Sequence, residues 1–386
     1  MNSMRMPVVS ADSHIVEPPE CYRDFIDPAY RDRAPHLVDD GRGGDAYAIE
    51  GYKRPLEIGL MSAAGIPDEV MPKVAPHRRF HAMHQSGWDP ATRVADQQRD
   101  GVDAEVIYAS VGMVLCNLKD PLYKDACFKA YNRWLQQYCE AAPQNLFGLG
   151  QTAVLSVDSA IEDFRRIKEA GFVGVMMPGR PIEEDYDHPM YDALWECATD
   201  LDLPLCFHIL TSKESAAALT EFRGHKLNSF MKLIRGIQDM IGLFVLGGVF
   251  ERHPKLKFVG AEGDAGWLPH FMHRMNRAAY RHGHGKHGPV LPRPPSEYIR
   301  ENVWLTFQDD WEAFACAHRM NSKRLLWAND FPHSDSTWPW SQDMIDRHTQ
   351  GVPQEVRDQA MGLNCIELFN LPIPVPGAAQ AKASAQ

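Results

Sequence analysis

Four residues far apart in the chain carry side chains of the kind that bind divalent cations. Asp12 and His14 stand two apart in Ala11-Asp12-Ser13-His14, and residues two apart on a strand share one face. His208 closes the apolar run Leu205-Cys206-Phe207-His208, and Asp330 closes Leu326-Trp327-Ala328-Asn329-Asp330. Singly, each has an ordinary explanation: an Asp caps a turn, and a His after an apolar strand is a hydrogen-bonded core residue. Together, two imidazoles and two carboxylates make a donor set that suits zinc, manganese or iron(II) and leaves positions for water or substrate.

Such a set needs a scaffold that gathers strand ends. Eight short apolar runs read as buried strands: Pro7–Ser10, Ala104–Tyr108, Leu146–Thr152, Val173–Met177, Leu205–Ile209, Lys257–Ala261, Val303–Phe307 and Leu325–Ala328. Between them, Asp158–Ala170 places Ile161, Phe164 and Ile167 at helical spacing before Gly171, and Pro189–Leu201 repeats the pattern. This alternation predicts an α/β fold, a (β/α)8 TIM barrel over residues 1–370 with its site at the C-terminal ends of the strands. A doubly wound sheet is the competitor, but no Gly-rich phosphate loop follows the first run. Residues from about 35 to 90 break the rhythm and read as an inserted lid or cap over the barrel mouth. The Pro/Ala-rich tail, 371–386, reads as an arm or a disordered end.

Composition narrows the classes. Of 386 residues, 44% are hydrophobic and 24% charged, which fits a folded globular chain. No apolar stretch approaches the ~18 residues of a membrane span. A net charge of -11 without a long basic run argues against nucleic acid and anionic lipid. The first ten residues lack an apolar secretory core, and the eight cysteines form no C-x-x-C pair. The expected setting is the cytoplasm, and the expected partner is a small molecule.

Asp12-Ser13-His14-Ile15-Val16-Glu17-Pro18, His208 and Asn329-Asp330-Phe331-Pro332-His333 resemble the amidohydrolase-related family, in the branch that includes aminocarboxymuconate semialdehyde decarboxylase. Gly247–Lys257 and Asn364 with Leu368-Phe369 extend the resemblance over roughly residues 7–370. The resemblance implies that Asp12, His14, His208 and Asp330 hold one divalent metal, zinc first and manganese second. Asp12 replaces the family's commonest His, which favours a harder ion. After strand six, where characterised decarboxylases place a His, this chain has Glu262. Buried, a Glu serves as acid or base; its ordinary alternative is a salt bridge to a nearby Arg or Lys. Relatives often pair, so a homodimer is expected.

The implied activity is non-oxidative decarboxylation of a small aromatic or unsaturated carboxylate, with Asp330, Glu262 and His333 as the catalytic groups. The alternative is hydrolysis of a C–N, C–O or C–C bond in a similar molecule, and a metal-free scaffold is the non-enzymatic competitor. Trp267, Trp304, Trp327, Trp338 and Trp340 are candidate walls for a flat ligand, with ordinary packing as the alternative for each. His282-Gly283-His284-Gly285-Lys286-His287 reads as an exposed loop before a metal site. Arg180 reads as a solvated loop residue before a carboxylate partner.

Overall fold

Eight parallel strands follow one another around a single sheet in chain order. They are β1 Val9–His14, β2 Ala104–Tyr108, β3 Leu146–Gln151, β4 Gly174–Met177, β5 Leu205–His208, β6 Phe258–Ala261, β7 Val303–Phe307 and β8 Leu325–Trp327. The structure is a computed structural model that describes residues 5–74, 77–212, 224–225, 228, 231–282 and 288–377. Residues 283–287, most of the His/Gly segment, and the end of the tail, 378–386, lie outside the described residues. Among the described residues no helix is long and apolar enough to cross a membrane.

All eight strands are buried along their whole length, as strands covered on both faces are. Parallel neighbours need crossovers, and amphipathic helices supply them. Pro90–Asp100 starts at Asp89, whose side chain accepts from Thr92 N, and stops at Gly101 in the left-handed region. Val157–Glu169 starts at a reciprocal Ser156–Ser159 cap. Helix Met231–Leu246 packs Phe244 against Phe207 of β5 and Phe258 of β6, rings whose burial stabilises by about 1.5–3 kcal/mol each. Gly260 permits that approach: a Cβ there would lie 2.7 Å from Ile237 Cγ2 and 2.8 Å from Leu305 Cδ2.

The expected runs match the observed strands within about two residues, except the first. The β1–β2 ladder shifts register between Ser10 and Ser13 and then resumes with Ser13 opposite Ile107 and His14 opposite Tyr108. Asp12 and His14 are therefore strand residues, held more firmly than residues past a strand end. The barrel closes where β8 returns to β1, through Asp330 N–H to Asp12 O (3.1 Å) and His14 N–H to Phe331 O (2.8 Å).

Within residues 35–90, strands His36–Asp39, Asp45–Ala48 and Leu56–Glu57 form a small antiparallel sheet, followed by short helical turns. This segment fastens onto the loops after β1 and β8: Val16 N–H donates to Gly87 O, Ala64 N–H to Pro332 O and Ser334 N–H to Leu60 O. At the other end, Leu371 is buried and Ile373 packs on the core, so the start of the tail stays with the barrel.

Candidate metal centre

Strand alternation brings Asp12 and His14 to one side of β1, and barrel closure sets β5, β6 and β8 around them. His14 Nε2 lies 3.4 Å from Asp12 Oδ1 and 3.4 Å from Asp330 Oδ1. His208 Nε2 lies 3.5 Å from Asp12 Oδ1 and 3.3 Å from Glu262 Oε2. Glu262 Oε2 is also 3.9 Å from His14 Nε2. His14 thus joins two donor groups at the C-terminal ends of the strands, Asp12 with His208 and Asp330 with Glu262 and His333.

The hydrogen bonds around these groups orient the donors inward. His14 Nδ1 lies 3.1 Å from Ala109 O and His208 Nδ1 lies 3.0 Å from Ile209 O. A carbonyl only accepts, so each Nδ1 carries the proton and each Nε2 offers a lone pair to the centre. Thr306 donates to Asp12 Oδ2 (2.9 Å) and accepts from Glu262 N–H (2.7 Å), tying β1, β6 and β7 together. Asp12 Oδ1, His14 Nε2, His208 Nε2 and Asp330 Oδ2 have no hydrogen-bond partner and are buried. An unmatched buried polar atom costs about 1–3 kcal/mol, and lone pairs facing lone pairs repel. A divalent cation satisfies donors of this kind, so the residues present fit a metal.

Electrostatics show the same tension. Burial pushes the Asp330 carboxyl well above the usual range, and Asp12 and Asp335 add to it. Burial does the same to Glu262, helped by the charge of Asp330. Asp12 is pushed up by burial, but His208 and His14 outweigh that and hold it well below the usual carboxylate range. Too many carboxylates share the space for all to ionise unless a cation joins them.

His333, three residues after Asp330, places Nδ1 3.0 Å from Asp330 Oδ1 and Nε2 2.7 Å from Ser110 Oγ. Glu262 faces the two imidazoles rather than an Arg or Lys among the described residues. Arg180 is exposed, 3.9 Å from Asp185. The five tryptophans have different surroundings. Trp304 lies under Arg324, Trp338 packs on Phe331, Trp267 donates to Gly263 O, Trp327 is fully buried and Trp340 is exposed. Their spread follows from strand alternation and loop position, which spacing in the sequence does not reveal.

Sequence reasoning missed Thr306, Ser110 and Arg93. Arg93 is fully buried and donates to Glu105 (2.6 Å), to His14 O (2.7 Å) and to Phe331 O (3.0 Å), bracing both loops that carry donors. Nothing in the sequence separates it from a solvated helix arginine.

Residues 68–371 match the amidohydrolase family model. The decarboxylase orsB of Emericella nidulans is 31% identical over 186 residues, which cover 45% of this chain and 54% of that protein. The chain thus spans about half the length of that relative. The 2-amino-3-carboxymuconate-6-semialdehyde decarboxylase of Dictyostelium discoideum is 24% identical over 260 residues, 66% of this chain and 69% of that protein. Among solved structures, an amidohydrolase from Mycobacterium avium subsp. paratuberculosis superposes with a TM-score of 0.78 at 20% identity, covering 95% of this chain and 100% of that one.

Proposed function

The chain belongs to the amidohydrolase family, and from that premise we propose a metal-dependent, non-oxidative decarboxylase of a small aromatic or unsaturated carboxylate, in the branch of aminocarboxymuconate semialdehyde decarboxylase, a relative of which is 24% identical. One observation carries the reading: buried donor atoms without hydrogen-bond partners, on Asp12, His14, His208 and Asp330, fall in two adjoining groups that share His14, Asp12 with His208 on one side and Asp330 with Glu262 and His333 on the other. Those four residues would hold the cation. Two imidazoles make zinc the first choice, and two carboxylates admit manganese. A bound divalent ion supplies Lewis acidity that polarises substrate oxygens.

The chain's own residues do the rest. Thr306 fixes Asp12, and the carbonyls of Ala109 and Ile209 fix the imidazoles. Glu262, whose carboxyl is pushed up by burial and by the charge of Asp330, stands beside the two imidazoles and would deliver a proton from there. As the C–C bond to the carboxylate breaks, its electron pair stays on the substrate carbon, which takes that proton while CO2 departs. Asp330 and His333, 3.0 Å apart, provide the second acid–base pair. The cysteines are all free, which fits a reducing, cytoplasmic setting. The assembly we propose is a homodimer.

Glu262 also favours a second reading, metal-assisted hydrolysis, because its ionised form beside His208 would act as base toward water. The test is incubation of the metal-loaded protein with a panel of hydroxybenzoates and unsaturated ring-cleavage acids. Release of CO2 supports decarboxylation. A new carboxylate or amine without CO2 supports hydrolysis, and no turnover with either metal contradicts both.

A further inference from the structure

We propose that Asn329 is a positioning residue that sets where Asp330 stands relative to β1, an inference that rests on the metal-centre reading above. Asp330 has a backbone φ of 51°, in the left-handed region that non-glycine residues rarely occupy. Such a conformation persists only where the surroundings enforce it. The neighbouring Asn329 is 1% exposed and uses every polar atom it has. Its N–H donates to Ser10 Oγ (3.0 Å), and its carbonyl accepts from Ser336 Oγ (2.7 Å) and Thr337 N–H (3.1 Å). Its side-chain Oδ1 accepts from Ser13 Oγ (2.9 Å) and Phe331 N–H (3.2 Å), and its Nδ2 donates to Asp100 Oδ2 (3.2 Å).

These bonds run to both sides of the barrel seam. Ser10 and Ser13 flank Asp12 on β1, whereas Phe331 and the 336–337 turn belong to the segment that carries Asp330. At this end of the seam the two backbone bonds of the closure are joined by the Arg93 guanidinium, which bridges His14 O and Phe331 O, and the side chain of Asn329 adds a further tie. The Asp12–Asp330 spacing therefore depends in part on an amide whose two ends are not interchangeable: Oδ1 must accept and Nδ2 must donate. A carboxylate in its place has no donor and faces Asp100 with like charge.

The experiment compares Mn2+ dissociation constants, measured by chelator competition, for the unaltered full chain, Asn329→Asp, Ser13→Ala, and Asn329→Asp combined with Asp100→Asn. Melting temperatures of the metal-free proteins are taken alongside. The double variant restores a donor facing an acceptor. The expected result is about 10–100-fold weaker binding for Asn329→Asp, a smaller loss for Ser13→Ala, and recovery to within about threefold of the unaltered affinity in the double variant. Ser13→Ala keeps the test decisive if Asn329→Asp does not fold. Melting temperatures that fall while Mn2+ affinity holds, or a double variant that regains stability without affinity, make Asn329 structural only and overturn the proposal. Failure of the unaltered chain to bind Mn2+ or Zn2+ overturns the metal-centre reading and this inference with it. Normal binding by the unaltered chain and equal binding by the variants overturns this inference alone.

Discussion

The imidazoles of His14 and His333 lie face to face, with ring centroids 3.8 Å apart and planes inclined by 23°. Two imidazolium rings would repel at that distance. Burial, and then the charge of a neighbouring imidazole, push both down, His333 to about 3. His14 is thus neutral and free to offer Nε2, and His333 backs it while reaching Asp330 through Nδ1.

Replacing His333 by Phe keeps a flat ring against His14 and removes both nitrogens. Bound metal is expected to stay near one equivalent while turnover drops by about 10–100-fold. Metal analysis and a CO2-release assay on the same preparation check this. Unchanged turnover removes His333 from proton handling.

Asp330→Asn leaves a side chain of the same shape in a place where an ionised carboxylate is disfavoured. The melting temperature of the metal-free protein is expected to hold or rise, and turnover to fall by about 100–10,000-fold. An active variant places the acid–base chemistry elsewhere.

His208→Ala removes an inward lone pair and is expected to weaken zinc binding by at least about 100-fold. Zinc content after dialysis against a weak chelator reads it directly. An unaltered stoichiometry overturns that ligand assignment.

Thr306→Val is close to isosteric, yet it leaves Asp12 Oδ2 without its donor and Glu262 N–H without its acceptor. Two unmatched buried groups predict a stability loss of about 1–3 kcal/mol by denaturant unfolding. Metal affinity should fall about 10–100-fold, and a variant as stable and as tight-binding as the parent contradicts the bridging role.

Glu17 gives a pH signature from a carboxyl outside the proposed ligand set. Its carboxylate accepts N–H groups of Ser110, Val111 and Gly112, but burial outweighs them and pushes it up to about 7. The folded chain therefore holds this proton more tightly than the unfolded chain, whose Glu titrates near ~4.3. The stability this confers is complete below that value and is lost as pH rises toward about 7. The melting temperature of the parent minus that of Glu17→Gln should accordingly decrease from pH 4.5 to pH 7.5, and an increase contradicts the shift.

The strands were legible because each is a short apolar run bounded by helix or turn signals, and the barrel followed from their alternation with helical spacing. The donors were legible for the same reason, since Asp12, His14, His208 and Asp330 sit where apolar runs end. What joins them was not. Thr306 reads as one more residue of a β-branched strand, and Ser110 and Arg93 gain meaning only when chain closure brings residues over 200 positions apart into contact, as with Arg93 and Phe331. The tryptophans were legible only as candidates. Their nearness to strand ends in the sequence carried no information about which face of the strand or loop they occupy.

Asp12, His14, His208 and Asp330 are proposed to share a single cation. Anomalous X-ray scattering from crystals of the full chain grown with Mn2+ tests it most directly. One strong peak is expected between Asp12 Oδ1, His14 Nε2, His208 Nε2 and the Asp330 carboxylate, at roughly 2.0–2.3 Å from each. A crystal with no peak there, or with the ion seated on other residues, contradicts it.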